Sequence, residues 1–256
     1  MGLRQMGKVY LIGAGPGAAD LITVRGARLL GLADVVLHDA LVEPAMLEYA
    51  PHARKIAVGK RCGQLSTAQQ FINKQIVDAA QEHAVVVRLK GGDPMLFGRA
   101  DEEMRALEAA GIEYEVVPGI TAALASAAAL KRSLTLRGVS RSVALATHSR
   151  AADSEAIREQ VNADSLVFYM GRDSGPEIAQ QLIDAGRDGL TPVAIVEACS
   201  TARERMLTLT LSELASGLAQ QWLDASQPSL LMIGQAFAAR VGQEEVSSLE
   251  ALLSAA

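Results

Sequence analysis

The sequence predicts an α/β protein made of two α/β domains, and three observations carry that expectation. Short β-branched or aliphatic runs alternate with stretches whose apolar residues recur at helical spacing. The alternation pauses at an alanine-rich stretch after Pro118-Gly119 and then starts again. Of the 256 residues, 50% are hydrophobic and 21% charged, enough apolar material for a sizeable core in one large domain or two ordinary ones.

The first set of expected strands is Val9 to Ile12, Asp34 to Leu37, Lys55 to Val58, Val85 to Leu89 and Tyr114 to Val117. Their continuous apolar character is that of strands buried on both faces, so the first sheet is expected to be mainly parallel. Helical spacing marks Leu21 to Leu32 and Thr67 to Ala80; in the second, Ile72, Ile76, Val77 and Ala80 share a face. A second set follows at Ser142 to Ala146, Leu166 to Tyr169, Val193 to Val196, Met206 to Leu211 and Leu230 to Ile233, with a helical pattern over Leu211 to Gln220. The last of these strands, separated by that helical pattern, are expected to be partly antiparallel, hence a mixed second sheet. The expected division is 8–130 for the first domain, 131–238 for the second and 239–256 for a weakly patterned tail. An inter-domain cleft is the expected place for a small molecule.

Composition removes several function classes. With 24 Lys+Arg against 29 Asp+Glu the formal net charge is -5, which excludes a generally basic nucleic-acid binder. The most apolar stretch, Gly119 to Leu130, is shorter than the roughly twenty residues a bilayer span needs, so no membrane partner is expected. Residues Met1 to Gln5 run into the first strand without an apolar run and cleavage site, and a soluble cytoplasmic protein is the expectation. Cys62 and Cys199 form no CxxC pair, and His38, His52, His83 and His148 lack HExxH spacing, so no metal site is expected.

Three loops at strand ends carry the chemistry. The first, Gly13-Ala14-Gly15-Pro16-Gly17, lets a ligand approach the backbone, with Asp20 placed to start the next helix. With Ala18 and with Asp39 after the second strand it also matches a dinucleotide fingerprint, which keeps a nicotinamide oxidoreductase open; Pro16 argues against it by removing one N–H from a loop that would cradle pyrophosphate. The second, Gly91-Gly92-Asp93-Pro94, combines two adjacent glycines with an acceptor, a combination better suited to an adenosyl sulfonium than to a pyrophosphate. A plain turn between strand and helix also accounts for it. The third, Pro118-Gly119-Ile120-Thr121-Ala122, opens the alanine-rich helix, which Thr121 is placed to cap.

The ordered series GAGPG, VGKR (Val58 to Arg61), RLKGGDP (Arg88 to Pro94), FGR (Phe97 to Arg99), VPGIT (Val117 to Thr121), TLRG (Thr135 to Gly138), VFYMG (Val167 to Gly171) and PVAIVE (Pro192 to Glu197) resembles the tetrapyrrole methylases, from about Lys8 to Gln235. Within that family the chain is most similar to members that methylate C2 and C7 of uroporphyrinogen III, giving precorrin-2 for sirohaem, cobalamin or haem d1. The resemblance implies two α/β domains with S-adenosyl-L-methionine in the cleft between them, S-adenosyl-L-homocysteine as product, and a homodimer. Another precorrin methyltransferase of the same fold is the alternative within the family.

Such a reaction moves an electrophilic carbon onto an electron-rich pyrrole carbon, after which a proton must leave the ring. By resemblance, Asp39 takes the place of the family's proposed proton acceptor and Lys60 that of its proposed donor, with a structural acid and a carboxylate-binding cation as their alternatives, while Arg99 is a candidate for substrate activation with Glu102 holding it. Arg99 and Glu102 are also spaced for an ordinary helix ion pair. The substrate bears eight carboxylates, and the segment between Glu115 and Asp153 has no acid but holds Lys131, Arg132, Arg137, Arg141 and Arg150. Arg137 in TLRG resembles the family's substrate-binding arginine. For the cofactor, the resemblance carries over to Pro16, Gly91, Gly92, Asp93, Leu96, Thr121, Ala122, Met170 and Cys199. Two stretches depart from the family pattern: Ala198-Cys199-Ser200 replaces a glycine-containing turn, and Lys131-Arg132-Ser133 replaces a Gly-Ile-Pro stretch.

Overall fold

The computed structural model describes residues 6–58, 66–148, 162–239 and 247–248. The chain divides into two units, Met1–Ala122 and Ala123–Ala256.

In the first unit the order is β1 (Lys8–Gly13), α1 (Val24–Leu30), β2 (Val35–His38), β3 (Arg54–Ala57), α2 (Ser66–Glu82), β4 (Val85–Lys90), α3 (Ala100–Ala109) and β5 (Tyr114–Val117). The sheet runs β3-β2-β4-β1-β5 with every pair parallel. Alternation along the strands explains the two covered faces. Val9, Leu11, Val35, Leu37 and Val86 pack with Ile72 and Ile76 of α2 and Leu107 of α3. Ile12, Val36, Val87 and Leu89 pack on the other side with Leu29 and Leu30 of α1 and with Met46. The chain leaves β1 toward β2 through α1 and leaves β4 toward β5 through α3, so these neighbouring strands send their connections to opposite faces. That is a topological switch point, where parallel sheets open a crevice beyond the strand ends.

The first helix starts later than its pattern predicts. A 3₁₀ turn occupies Ala19–Leu21, and Thr23 caps α1, its Oγ1 accepting from Gly26 N at 3.1 Å. Asp20 therefore lies in the turn and not at the helix start.

The second unit contains α4 (Ala122–Ala129, beginning at the division), β6 (Val143–Thr147), β7 (Ser165–Tyr169), α5 (Gly175–Asp184), β8 (Pro192–Glu197), β9 (Arg205–Thr210), α6 (Leu211–Ala215), β10 (Ser229–Ile233) and β11 (Ser247–Ser248). The division falls ahead of the 130/131 cut and leaves α4 with the second unit, where Ala123 N donates to the Tyr169 hydroxyl at 3.1 Å. The sheet is mixed, in the order β11-β9-β8-β10-β7-β6: β10 is antiparallel to β7 and β8, β8 is antiparallel to β9, and β6–β7 and β9–β11 are parallel. Its core joins Leu166, Phe168, Val193, Ile195, Leu207 and Leu231 with Ile178 of α5 and Leu214 of α6. The pattern over Leu211 to Gln220 resolves into two pieces. A capping box between Thr210 and Glu213 starts α6, and Gly217, at φ 81°, ends it before a 3₁₀ turn at Leu218–Gln221. In the 239–256 tail, Ser247–Ser248 pairs with Leu207 and Thr208. No helix among the described residues is long and apolar enough to cross a membrane.

Candidate functional site

The switch point of the first unit is built from glycine backbones. Ala14 N donates to Lys90 O at 2.7 Å as β1 ends beside β4. The GAGPG and GGDP loops then bond to each other: Gly15 N to Gly92 O at 3.1 Å and Gly92 N to Gly15 O at 2.7 Å. Gly119, after β5, completes the pile, since a Cβ on it would lie 2.3 Å from Gly92 O and 2.7 Å from Gly13 Cα. Asp93 ties two of the loops, its Oδ1 accepting from Met95 N at 2.8 Å and its Oδ2 from Gly119 N at 2.9 Å. Gly92 has φ 68°, and a Cβ there would meet nothing within 4 Å, so the loop presents bare backbone to open space. Pro16, Gly91, Leu96, Thr121 and Ala122 are all half-buried around these loops.

This arrangement departs from the dinucleotide fingerprint in two ways. The 3₁₀ turn separates GAGPG from the N-terminus of α1, so that helix does not aim its amides at the loop as pyrophosphate binding requires. Asp39, the candidate ribose acceptor, is instead ion-paired to Arg88.

Asp39 follows β2 directly, with its amide donating to Leu89 O at 3.2 Å. Arg88 continues inward to Glu103, Nε to Oε1 at 3.0 Å, and Lys90 Nζ lies 3.0 Å from each Glu103 oxygen. Burial opposes the charge on Arg88, but the carboxylates of Asp39 and Glu103 outweigh it and hold its pKa above the ordinary value. For Lys90 the balance is reversed: burial, with the neighbouring Arg88 charge, lowers its pKa despite Glu103.

Arg99 and Glu102 meet as their spacing predicts, Nε to Oε1 at 2.6 Å and Nη2 to Oε2 at 2.8 Å, both exposed. Arg99 precedes α3 with φ 54°, left-handed backbone that is costly for a residue with a side chain. Lys60 lies outside the described residues.

In the second unit Met170 and Cys199 follow β7 and β8, which both pair antiparallel to β10 and therefore end on the same side. Met170 is exposed at φ 53°. Cys199 is flanked by Ala198 at φ 48° and Ser200 at φ 60°, so the turn keeps a glycine-like backbone without glycine. Its thiol is buried, and burial pushes its pKa up to about 11. Below that turn Glu197 is wholly buried, gripped by Arg205 Nε at 2.8 Å and by Asp224 N at 2.7 Å.

The acid-free segment divides by role. Arg132 is buried, and its Nη1 donates to the carbonyls of Phe237 and Ala238. It is therefore a structural cation. Arg137 is exposed in a tight turn closed by Leu136 N to Ser140 O at 3.0 Å and Ser140 N to Leu136 O at 2.7 Å. Ser140 Oγ is 2.8 Å from Ser165 Oγ, which roots that turn at the start of β7, the opposite end of the sheet from Met170 and Cys199. Arg150 lies outside the described residues.

Reading the chain alone misses Arg88, Lys90 and Glu103 as a connected group. The signals were present: two charges spaced i, i+2 in an otherwise aliphatic strand, and Glu103 on the Ala100–Leu107 stripe of α3. Tyr169, whose hydroxyl receives the first amide of α4, gave no comparable signal.

A parallel sheet whose glycine loops interlock at its switch point has the architecture at which α/β proteins commonly hold small molecules, and the comparisons narrow the class. Residues 8–215 match the model of the Tetrapyrrole (Corrin/Porphyrin) Methylases, and the chain belongs to that family. It is 43% identical over 236 residues to a sirohaem synthase of Stutzerimonas stutzeri (strain A1501), covering 91% of this chain and 50% of the relative. It is 44% identical over 233 residues to that of Pseudomonas fluorescens (strain SBW25), covering 90% and 50%. The chain thus spans about half the length of the curated relatives it matches. Among solved structures, uroporphyrin-III C-methyl transferase from Thermus thermophilus, complexed with S-adenyl homocysteine, superposes with a TM-score of 0.80 at 37% identity, covering 96% of this chain and 100% of that one.

Proposed function

We propose that this chain transfers methyl groups from S-adenosyl-L-methionine to C2 and C7 of uroporphyrinogen III, giving precorrin-2. The observation that carries the reading is the interlocked Gly15–Gly92 pair beside the Gly119 loop, found in a chain that matches, over 96% of its length, a protein crystallised with S-adenyl homocysteine. Bare backbone and the Asp93 carboxylate suit an adenosyl sulfonium, which is cationic and rich in hydroxyl donors. When bound, that cofactor supplies the electrophilic methyl carbon. Pro16, Gly91, Gly92, Asp93, Leu96, Thr121 and Ala122 are proposed cofactor contacts in the first unit, and Met170 and the Cys199 turn in the second. Asp93 acts there chiefly by holding the GGDP and Gly119 loops together.

Asp39 is proposed to accept the proton released from the ring, with Lys60 as donor. Arg99, braced by Glu102, is an electrostatic contact to substrate, because a guanidinium does not act as a base near neutral pH. Exposed Arg137 is a proposed carboxylate contact. The working form is proposed to be a cytoplasmic homodimer, for which light scattering is expected to give twice the chain mass.

Calorimetry is expected to detect S-adenosyl-L-homocysteine binding and no NADH binding. Anaerobic incubation with uroporphyrinogen III and S-adenosyl-L-methionine is expected to yield a dimethylated product. Inertness toward uroporphyrinogen III with transfer to a precorrin would reassign the chain to a later methylation, and NADH binding without homocysteine-adduct binding would end the reading.

A further inference from the structure

Three of the four charged groups in the Asp39–Arg88–Glu103–Lys90 chain are almost wholly enclosed. Arg88 and Lys90 are each 2% exposed and Glu103 is 1% exposed, whereas the Asp39 side chain retains 29%. Burying ion pairs generally stabilises less than apolar packing of the same volume, so stability alone does not account for placing this array inside the first unit. Its geometry is asymmetric. Both ends of the Arg88 side chain are held: Nη1 donates to Leu89 O at 3.1 Å and to Leu37 O at 3.4 Å, Nε to Glu103, and Nη2 to Asp39. Glu103 is held further by Lys90 and by Gln69 Nε2 at 3.4 Å. The array therefore reaches solvent through Asp39 alone.

We infer that Arg88 is a positioning residue that acts through Asp39, fixing its carboxylate at the end of β2; the inference rests on the methyltransferase reading above. Arg88 is too enclosed to touch substrate. Only a planar fork spans Asp39, Glu103 and two carbonyls at once, and the point charge of a lysine cannot.

A double-mutant cycle tests this with the full chain, uroporphyrinogen III and S-adenosyl-L-methionine. Arg88→Lys is expected to lower kcat by about a hundredfold while KM for S-adenosyl-L-methionine stays within about threefold. Asp39→Asn alone also lowers kcat, and the double variant is no slower than Asp39→Asn, because the two residues work as one unit. Losses that multiply, or wild-type kcat in either single variant, overturn the inference. If Arg88→Lys fails to fold, Glu103→Gln enters the same cycle with the same expected non-additivity. A crystal structure supplies a readout that does not need turnover: in Arg88→Lys or Glu103→Gln the Asp39 carboxylate is expected to leave its wild-type place while Gly15 and Gly92 stay bonded. An unmoved carboxylate overturns the inference even if the wild type transfers no methyl group, an outcome that by itself would refute only the proposed function.

Discussion

Lys131 shows how a single residue can carry a conformational cost. Its amide donates to Ala128 O at 3.0 Å and that of Arg132 to Ala127 O at 2.9 Å, the paired bonds of a Schellman stop after α4. The residue at its centre must be left-handed, and Lys131, which carries a full side chain, has φ 55°. Lys131→Gly is expected to raise stability by about 0.5 kcal/mol, the relief of left-handed strain less the added entropy of the unfolded chain. Urea midpoints of the two proteins check it. Cys199 illustrates the reverse, a reactive group made inert. With burial holding its pKa at about 11, the thiol is essentially un-ionised at pH 8, so iodoacetamide is expected to leave Cys199 unmodified until denaturant is added, as peptide mapping would show.

At the scale of elements, the glycine pile separates two effects that a motif merges. Gly119→Ala places a methyl group against backbone on both sides and is expected to cost about 2–3 kcal/mol and to weaken S-adenosyl-L-homocysteine binding. Gly92→Ala meets open space and bears mainly the positive-φ penalty of about 1 kcal/mol, so any loss of ligand affinity there reports contact rather than folding. Thermal melts paired with calorimetry distinguish them. The glycines themselves were plain in the sequence. That Gly119 exists to admit Gly92 O was not, because the two are brought together only by β1 lying between β4 and β5. The same applies to α1: its apolar spacing was legible, but Thr23 rather than Asp20 sets its start.

For the whole molecule, acid stability depends on how carboxylates are held. Asp164 accepts from the amides of Arg141 at 2.8 Å and Ser142 at 3.0 Å and from the Ser142 hydroxyl at 2.8 Å, and these bonds lower its pKa. A depressed folded-state pKa gives stability that is present above the ordinary carboxylate value of about 4 and is lost as pH falls through the lower folded value. Asp164→Asn is therefore expected to be less stable than wild type at pH 7 and to converge toward it as the pH is taken progressively below about 4, measured by denaturant unfolding across that range. Two rounds of strand and helix, a parallel first sheet, a mixed second one and the family were all legible in the chain, because apolar periodicity and ordered loop motifs are local properties. Folding was needed to reveal that Arg132 is internal, that Arg137 is rooted at the far end of its sheet from Met170, and that Asp39 ends a buried line of charge. Those facts depend on which distant segments meet, and the balance between burial and pairing of a charge exists only once they have met.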